Sequence, residues 1–292
     1  MIRTRPLTPY LFVAPLVALL VFIFGYPLVR VFDFSTRRIR GFDGPPVGFA
    51  NFEALFADPV FGLAVRHNLQ LLLAIIPLLL LSLFLAIALY ERLGGWRMFR
   101  TIVFLPYILA IPIVAVVLRN MFQLNGPINT VLRSAGLNGL ALDWLGDADI
   151  ALWTVMAMII WRESAFGVVL FLSRLLSLNE ELVESAQLDG ANWWQRTFYI
   201  VIPQLRGVIE FYLVLSLITL LAAVFSYVYI VPGRGGPGNA TMILELYIYN
   251  WAFDKRLPGM GAAVSVVLFL VTIVFMVLMF RLRRQAVAEE VG

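Results

Sequence analysis

Cysteine is absent from this chain, and histidine and lysine occur once each, as His67 and Lys255. No disulfide and no thiolate metal site can form. Zinc sites that draw on two histidines are excluded as well. A nucleotide-binding phosphate loop needs Gly-x4-Gly-Lys-Ser/Thr, because the lysine must reach the phosphates. Lys255 stands in Asp254-Lys255-Arg256 with no glycine run before it, so no ATP site of that kind is expected here. Charge is also scarce. Charged residues make up 14% of the 292 residues, against 61% hydrophobic. With a mean hydropathy of +0.90, the chain is too apolar for a soluble domain wrapped in a polar shell.

Long apolar runs fill most of the sequence. A helix needs roughly 20 apolar residues to cross a bilayer. Leu7–Val29, Asn68–Tyr90, Thr101–Leu118, Phe211–Gly233 and Leu257–Phe280 meet or approach that length without a charge. A sixth run, Ile150–Ser173, is interrupted only by Arg162 and Glu163. The expectation is an all-α integral membrane protein of six transmembrane helices, forming one transmembrane domain over residues 1–292. Pro15, Pro27, Pro77, Pro106 and Pro112 fall in or at the ends of the first three runs. Each removes a backbone donor and permits a kink.

The net charge of +4 does not point to nucleic acid, because the arginines are scattered between spans like anchors at lipid headgroups. The first run is too long for the core of a cleaved signal peptide, and Arg3 and Arg5 precede it, so a retained anchor with its N-terminus inside is expected. Six spans then return the C-terminus to the same side. Arg92, Arg97 and Arg100, then Arg281, Arg283 and Arg284, sit in short segments on that side. Cytoplasmic segments tend to carry the excess of arginine and lysine, and Arg37, Arg38 and Arg40, in the first outside loop, run against that tendency.

Between the fourth and fifth runs lies a polar island, about residues 174–206, with the sequence LNEELVESAQLDGANWWQRTFYIVIP from Leu178 to Pro203. Ser177 with Glu180 reads as a capping box that starts a short helix near Leu178. Leu178, Leu182, Ser185 and Ala186 recur at helical steps. Gly190, after Asp189, suits a left-handed C-cap. Trp193 and Trp194 suit a membrane interface, and Pro203 a bend or first helical turn. Taken alone, this describes an interfacial helix joining two spans.

The offsets of Glu184, Ser185, Ala186, Gly190, Ile200 and Pro203 resemble the cytoplasmic "EAA" loop of the membrane subunits of bacterial ABC importers. Ser185 in place of an alanine and Ile202 in place of a leucine are mild departures. The resemblance extends over most of the chain. It includes Pro9-Tyr10-Leu11-Phe12 with Gly25-Tyr26-Pro27, and Val47 to Phe52 with Asp58 and Phe61. It continues through Phe104-Leu105-Pro106, Gly126-Pro127-Ile128-Asn129 and Gly235-Gly236-Pro237. These are similar to the first permease of the maltose/glycerol-phosphate branch of carbohydrate importers. The resemblance implies a type I importer permease fold in the bacterial inner membrane, with Glu184, Ser185, Ala186, Asp189, Gly190 and Pro203 coupling to an ATPase. It implies as partners a second permease, two ATPase subunits that hold ATP and Mg, and an extracytoplasmic solute-binding protein. No cofactor is implied on this chain, and transport rather than catalysis is its role. The solute that the resemblance implies is a sugar or sugar-like compound, a neutral sugar or, alternatively, a glycerol-phosphate-type polyol.

Arg162 and Glu163 stand at the middle of a span, where a charge costs about 2.5–3.5 kcal/mol on insertion scales. They face a solute cavity or are bonded to a neighbouring helix, and the residues alone leave both open. Adjacent helical positions diverge by about 100°, so the two need not pair. Phe225, Tyr227 and Tyr229 carry aromatic faces suited to sugars and equally to packing. His67 fits an interfacial hydrogen-bonding residue, and Glu210 a structural one. A secondary transporter driven by an ion gradient, with Arg162, Glu163 and Glu210 as its relay, is the competing class. It leaves the Glu184–Pro203 pattern unexplained.

Overall fold

The structure, a computed structural model, describes residues 8–39, 41, 43–91, 94–178 and 180–291, without the side chains of 8, 9, 180, 183, 184 and 282–291. Arg3, Arg5, Arg40, Arg92 and the side chains of Arg283 and Arg284 therefore lie outside the described residues, as do those of Glu180 and Glu184. Among the described residues the secondary structure is helical, apart from an isolated bridge between Arg37 and Pro46.

Five helical stretches are long and apolar enough to cross a bilayer: α1 (Tyr10–Ser35), α2 (Pro59–Tyr90), α5 (Ala151–Leu175), a fifth span over Arg206–Ile230, and Pro258–Arg281. A bent pair supplies the remaining span: α3 (Trp96–Ile108) and α4 (Ile111–Met121) meet at 106°. The apolar runs anticipated these positions, but α1 reaches six residues beyond the run that ended at Val29.

The prolines account for much of the irregularity. Pro27 cannot donate to the turn before it, and Val21–Gly25 widens into a π-helical turn just upstream. Leu72–Ala74 tightens into a 3-10 turn before Pro77. The sharp break comes after Pro106, with Leu109 and Ala110 in extended conformation and Pro112 in the first turn of α4. Pro112 has no N–H to donate to the carbonyl of Ile108, and its ring would clash with that group in a continuous helix, so the helix cannot run through it.

The chain forms two compact units: residues 1–62 with 247–270, and residues 63–246 with 271–292. In the first unit, Asn51 donates to the main-chain oxygens of Ser35 and Arg37, at 2.8 and 2.9 Å. The Tyr247 hydroxyl donates to Asp58 at 2.6 Å. The second unit is built on α5 packed along the later part of α2. Small residues bring the two helices close. Ser82 Oγ donates to the Ser164 carbonyl at 2.9 Å and lies 3.1 Å from the Tyr212 hydroxyl. Gly167 leaves no room for a Cβ, which would meet Ser82 and Tyr212 at 2.5–2.7 Å. Close approach through small residues is the usual way membrane helices gain packing energy.

The fifth span is also discontinuous. α7 (Arg206–Ala222) stops, Ala223 and Val224 leave helical geometry, and α8 (Phe225–Ile230) resumes. Within the second unit, α8 packs on α4. The far halves of two broken spans therefore lie side by side.

Candidate functional site

Arg162 is 5% exposed and sits midway along α5. Its Nη2 donates to the carbonyl oxygens of Tyr107, at 3.2 Å, and Leu109, at 2.8 Å. Its Nη1 donates to Glu163 Oε1 at 2.6 Å. The break between α3 and α4 leaves carbonyls without helical partners, and these carry the negative end of the α3 dipole. A guanidinium answers both needs with its fork of donors. Glu163 Oε1 accepts a second bond, from the Tyr227 hydroxyl on α8 at 2.8 Å. The chain Leu109–Arg162–Glu163–Tyr227 thus ties the break of the third span, the middle of the fourth and the far half of the fifth.

The sequence left the pairing of Arg162 and Glu163 open, and the structure pairs them: two long side chains bridge the angle between adjacent positions. Arg162 is bonded to a neighbouring helix, and its guanidinium lies 5.1 Å from the Tyr107 ring centroid. Tyr227 is fully buried. Glu163 borders a cavity of about 20 Å³, with Leu78, Phe166, Tyr212, Ser216 and Thr219 around it. That holds about one water and no sugar ring. Phe225 and Tyr229 stack on each other at 5.1 Å, apart from this network, and Arg234 donates to the Tyr229 hydroxyl at 3.3 Å.

The other break is closed by an acid. Glu245, in α9 (Leu244–Tyr249), accepts from the Val224 N–H at 2.9 Å and also from Phe225. Burial pushes this carboxyl up to about 7, against the opposing pull of those two bonds. The preceding segment is held by neighbours of the second span. His67 Nδ1 lies 2.8 Å from the Met242 carbonyl, and Asn68 accepts from the Leu244 N–H at 2.8 Å. The expected hydrogen-bonding role of His67 is what the geometry shows. Glu210 accepts from Arg206 at 3.2 Å, one turn earlier on the same helix.

The polar island forms α6 (Glu180–Leu188). Its end is a Schellman turn: Gly190 N donates to Gln187 O at 3.1 Å and Ala191 N to Ala186 O at 2.9 Å. Gly190 has φ +82°, which glycine adopts without a Cβ penalty. The capping box expected at Ser177 and Glu180 turns on residue 179 and the Glu180 side chain, which lie outside the described residues. Ser177 donates to the Arg174 carbonyl at 2.7 Å. A capping box pairs Asn192 with Gln195, at 2.8 and 2.9 Å, at the start of the helix holding Trp193 and Trp194. Asn192-x-x-Gln195 carries the required spacing, but no apolar run beginning there marked it. Pro203 enters a helical turn, Ile202–Gln204, that precedes α7. Ser185 donates to Leu182 O at 3.2 Å and leaves its side of α6 open. Leu182 is 49% and Leu188 90% exposed.

Comparison with known proteins agrees with this architecture. Residues 79–287 match the family described as binding-protein-dependent transport system inner membrane component. The lactose transport system permease protein LacF of Rhizobium radiobacter is 32% identical over 94% of both chains. The sn-glycerol-3-phosphate transport system permease protein UgpA of Agrobacterium fabrum is 32% identical over 94% of this chain and 93% of its own. Among solved structures, a bacterial alginate ABC transporter in complex with alginate pentasaccharide-bound periplasmic protein shares the fold. Its TM-score is 0.80 at 24% identity, covering 96% of this chain and 94% of that one. The chain belongs to the binding-protein-dependent transport system inner membrane components, the permeases of ABC importers.

Proposed function

We propose that this chain is a translocating subunit of an ATP-driven importer for a sugar or sugar-like solute. The observation that carries the reading is α6. It is a short helix on the polar island between spans, sealed by Gly190, with Leu182 and Leu188 turned outward. Exposed leucines on a polar loop mark a surface that another protein covers. In this family setting the partner is an ATPase subunit, which supplies the ATP and Mg chemistry that this sequence has no loop to hold. Glu184, Ser185, Ala186, Asp189 and Gly190 form the contact, and Pro203 leads the motion into α7. On this reading α6 and both termini lie in the cytoplasm. A second permease completes the translocation path, and an extracytoplasmic binding protein delivers the solute. The names of the relatives support sugars and related polyols as the solute class.

Mild-detergent purification of the chain from its native membrane, with mass spectrometry of what accompanies it, tests the proposal. Recovery of a second permease and an ATPase is expected, and Leu188→Glu should reduce ATPase recovery. A chain that emerges alone, stably folded, in several detergents overturns the reading and returns an ion-driven transporter to the front.

A further inference from the structure

A concavity of about 420 Å³ opens in the second unit at the end of α5 remote from α6. The 25 residues of α5 separate the two by about 37 Å at 1.5 Å per residue. Its walls come from the first turns of α2, from the entry to α5 and from the glycine-rich turn before α9. The volume falls within the range of small-molecule sites.

The chemistry of the walls is specific. Arg66, His67, Gln70, Asp149 and Trp153 all border the space. His67 is held with Nδ1 on the Met242 carbonyl. A carbonyl only accepts, so Nδ1 carries the hydrogen and the neutral ring leaves Nε2 as an acceptor. Arg66 supplies donors, Asp149 acceptors and Gln70 both. Among the described residues no hydrogen bond or ion pair occupies the side chains of Arg66, Gln70, Asp149 or Trp153. That contrasts with Arg162, whose two terminal nitrogens are spent on protein oxygens. Trp153 is 48% exposed and offers an aromatic wall.

We infer that this concavity is an entry site for a neutral, polyhydroxylated solute, built by Arg66, His67, Gln70, Asp149 and Trp153. Hydroxyls donate and accept at once and need a wall that does both. The C–H face of a sugar ring packs against an aromatic surface. One cation and one anion leave the wall without net charge, which suits a neutral solute better than the negative charge of a phosphorylated polyol. The inference deepens the importer reading: it places neutral sugars ahead of phosphorylated polyols and assigns residues outside the membrane-centre network.

The absence of cysteine makes the test direct. Gln70→Cys and Asp149→Cys, made separately, each give the chain its only thiol. Labelling by a water-soluble thiol reagent is followed in the purified complex. A panel of glucose, maltose and lactose is compared with sn-glycerol 3-phosphate. Neutral sugars should slow labelling several-fold at both positions, and glycerol phosphate should not do so in Gln70→Cys, which keeps Asp149. Trp153→Ala should abolish the protection, and Leu140→Cys, elsewhere on the surface, should label at one rate throughout. Labelling indifferent to all sugars overturns the site. So does equal protection by glycerol phosphate in Gln70→Cys. Thiols that are blocked until the partner permease is removed also overturn it, showing a subunit interface instead. Failure of the importer reading is seen separately, as absence of an ATPase from the same preparation.

Discussion

The Arg162 guanidinium stands 2.8 Å from the carbonyl oxygen of Leu109 and closes a helix that ends inside the membrane. Charge at that depth is costly. Here it offsets a second cost, the carbonyls left by the break between α3 and α4. Glu163 then balances the arginine, and the Tyr227 hydroxyl donates to the same carboxylate oxygen.

Arg162→Ala should therefore be among the most damaging single changes in the second unit. It strands Glu163 and two main-chain oxygens, and removing one member of a buried ion pair costs about 3–5 kcal/mol. Thermal unfolding in detergent should show a large fall. Arg162→Ala with Glu163→Gln should fall by clearly less than the two single losses summed. Strict additivity would mean that the pair is not coupled as described.

Gly167 tests the packing of α5 on α2 and α7. A Cβ there meets Ser82 and Tyr212 at 2.5–2.7 Å, and overpacking of that kind costs about 1–3 kcal/mol. Gly167→Ala should lower thermal stability, and adding Ser82→Ala should recover part of it by removing the hydroxyl in the way. No recovery would place the strain elsewhere.

The spans were legible because a bilayer demands length and apolarity, and both are local properties of sequence. The break in the third span was half-legible. Pro106 and Pro112 announced that backbone groups would be freed, and nothing local said what would satisfy them. The answer lies on Arg162, more than fifty positions away along the chain. Glu245 was missed for the same reason. Its signal was an acid inside the apolar stretch Met242-Ile243-Leu244-Glu245-Leu246, and its partner is the second break, at Val224. Glycine at the end of α6 was readable because the Schellman turn is entirely local.

Gly190 separates conformation from contact. No atom lies within 4 Å of an added Cβ, so any penalty comes from φ +82°. A non-glycine residue in that region costs about 1–2 kcal/mol, and asparagine tolerates it best. Gly190→Asn should retain most uptake by the assembled importer. Gly190→Val should lose uptake and hydrogen-exchange protection over α6 while still inserting in the membrane. Equal activity of the two variants would remove the turn from the coupling argument.

Glu245 predicts a pH dependence. Its carboxyl is raised from 4.5 to about 7 by burial, so the folded state holds a proton that the unfolded chain has released between those values. The unfolded state then binds fewer protons, and stability falls as pH rises across that window. The contribution is complete below 4.5 and lost above about 7. Glu245→Gln keeps an oxygen to accept from Val224 and cannot titrate. Its unfolding temperature, measured against pH in detergent, should be flatter than that of the parent between pH 4.5 and 7. It should match the parent most closely at the acid end. Parallel curves would show that Glu245 is ionised in both states and that burial does not govern its charge.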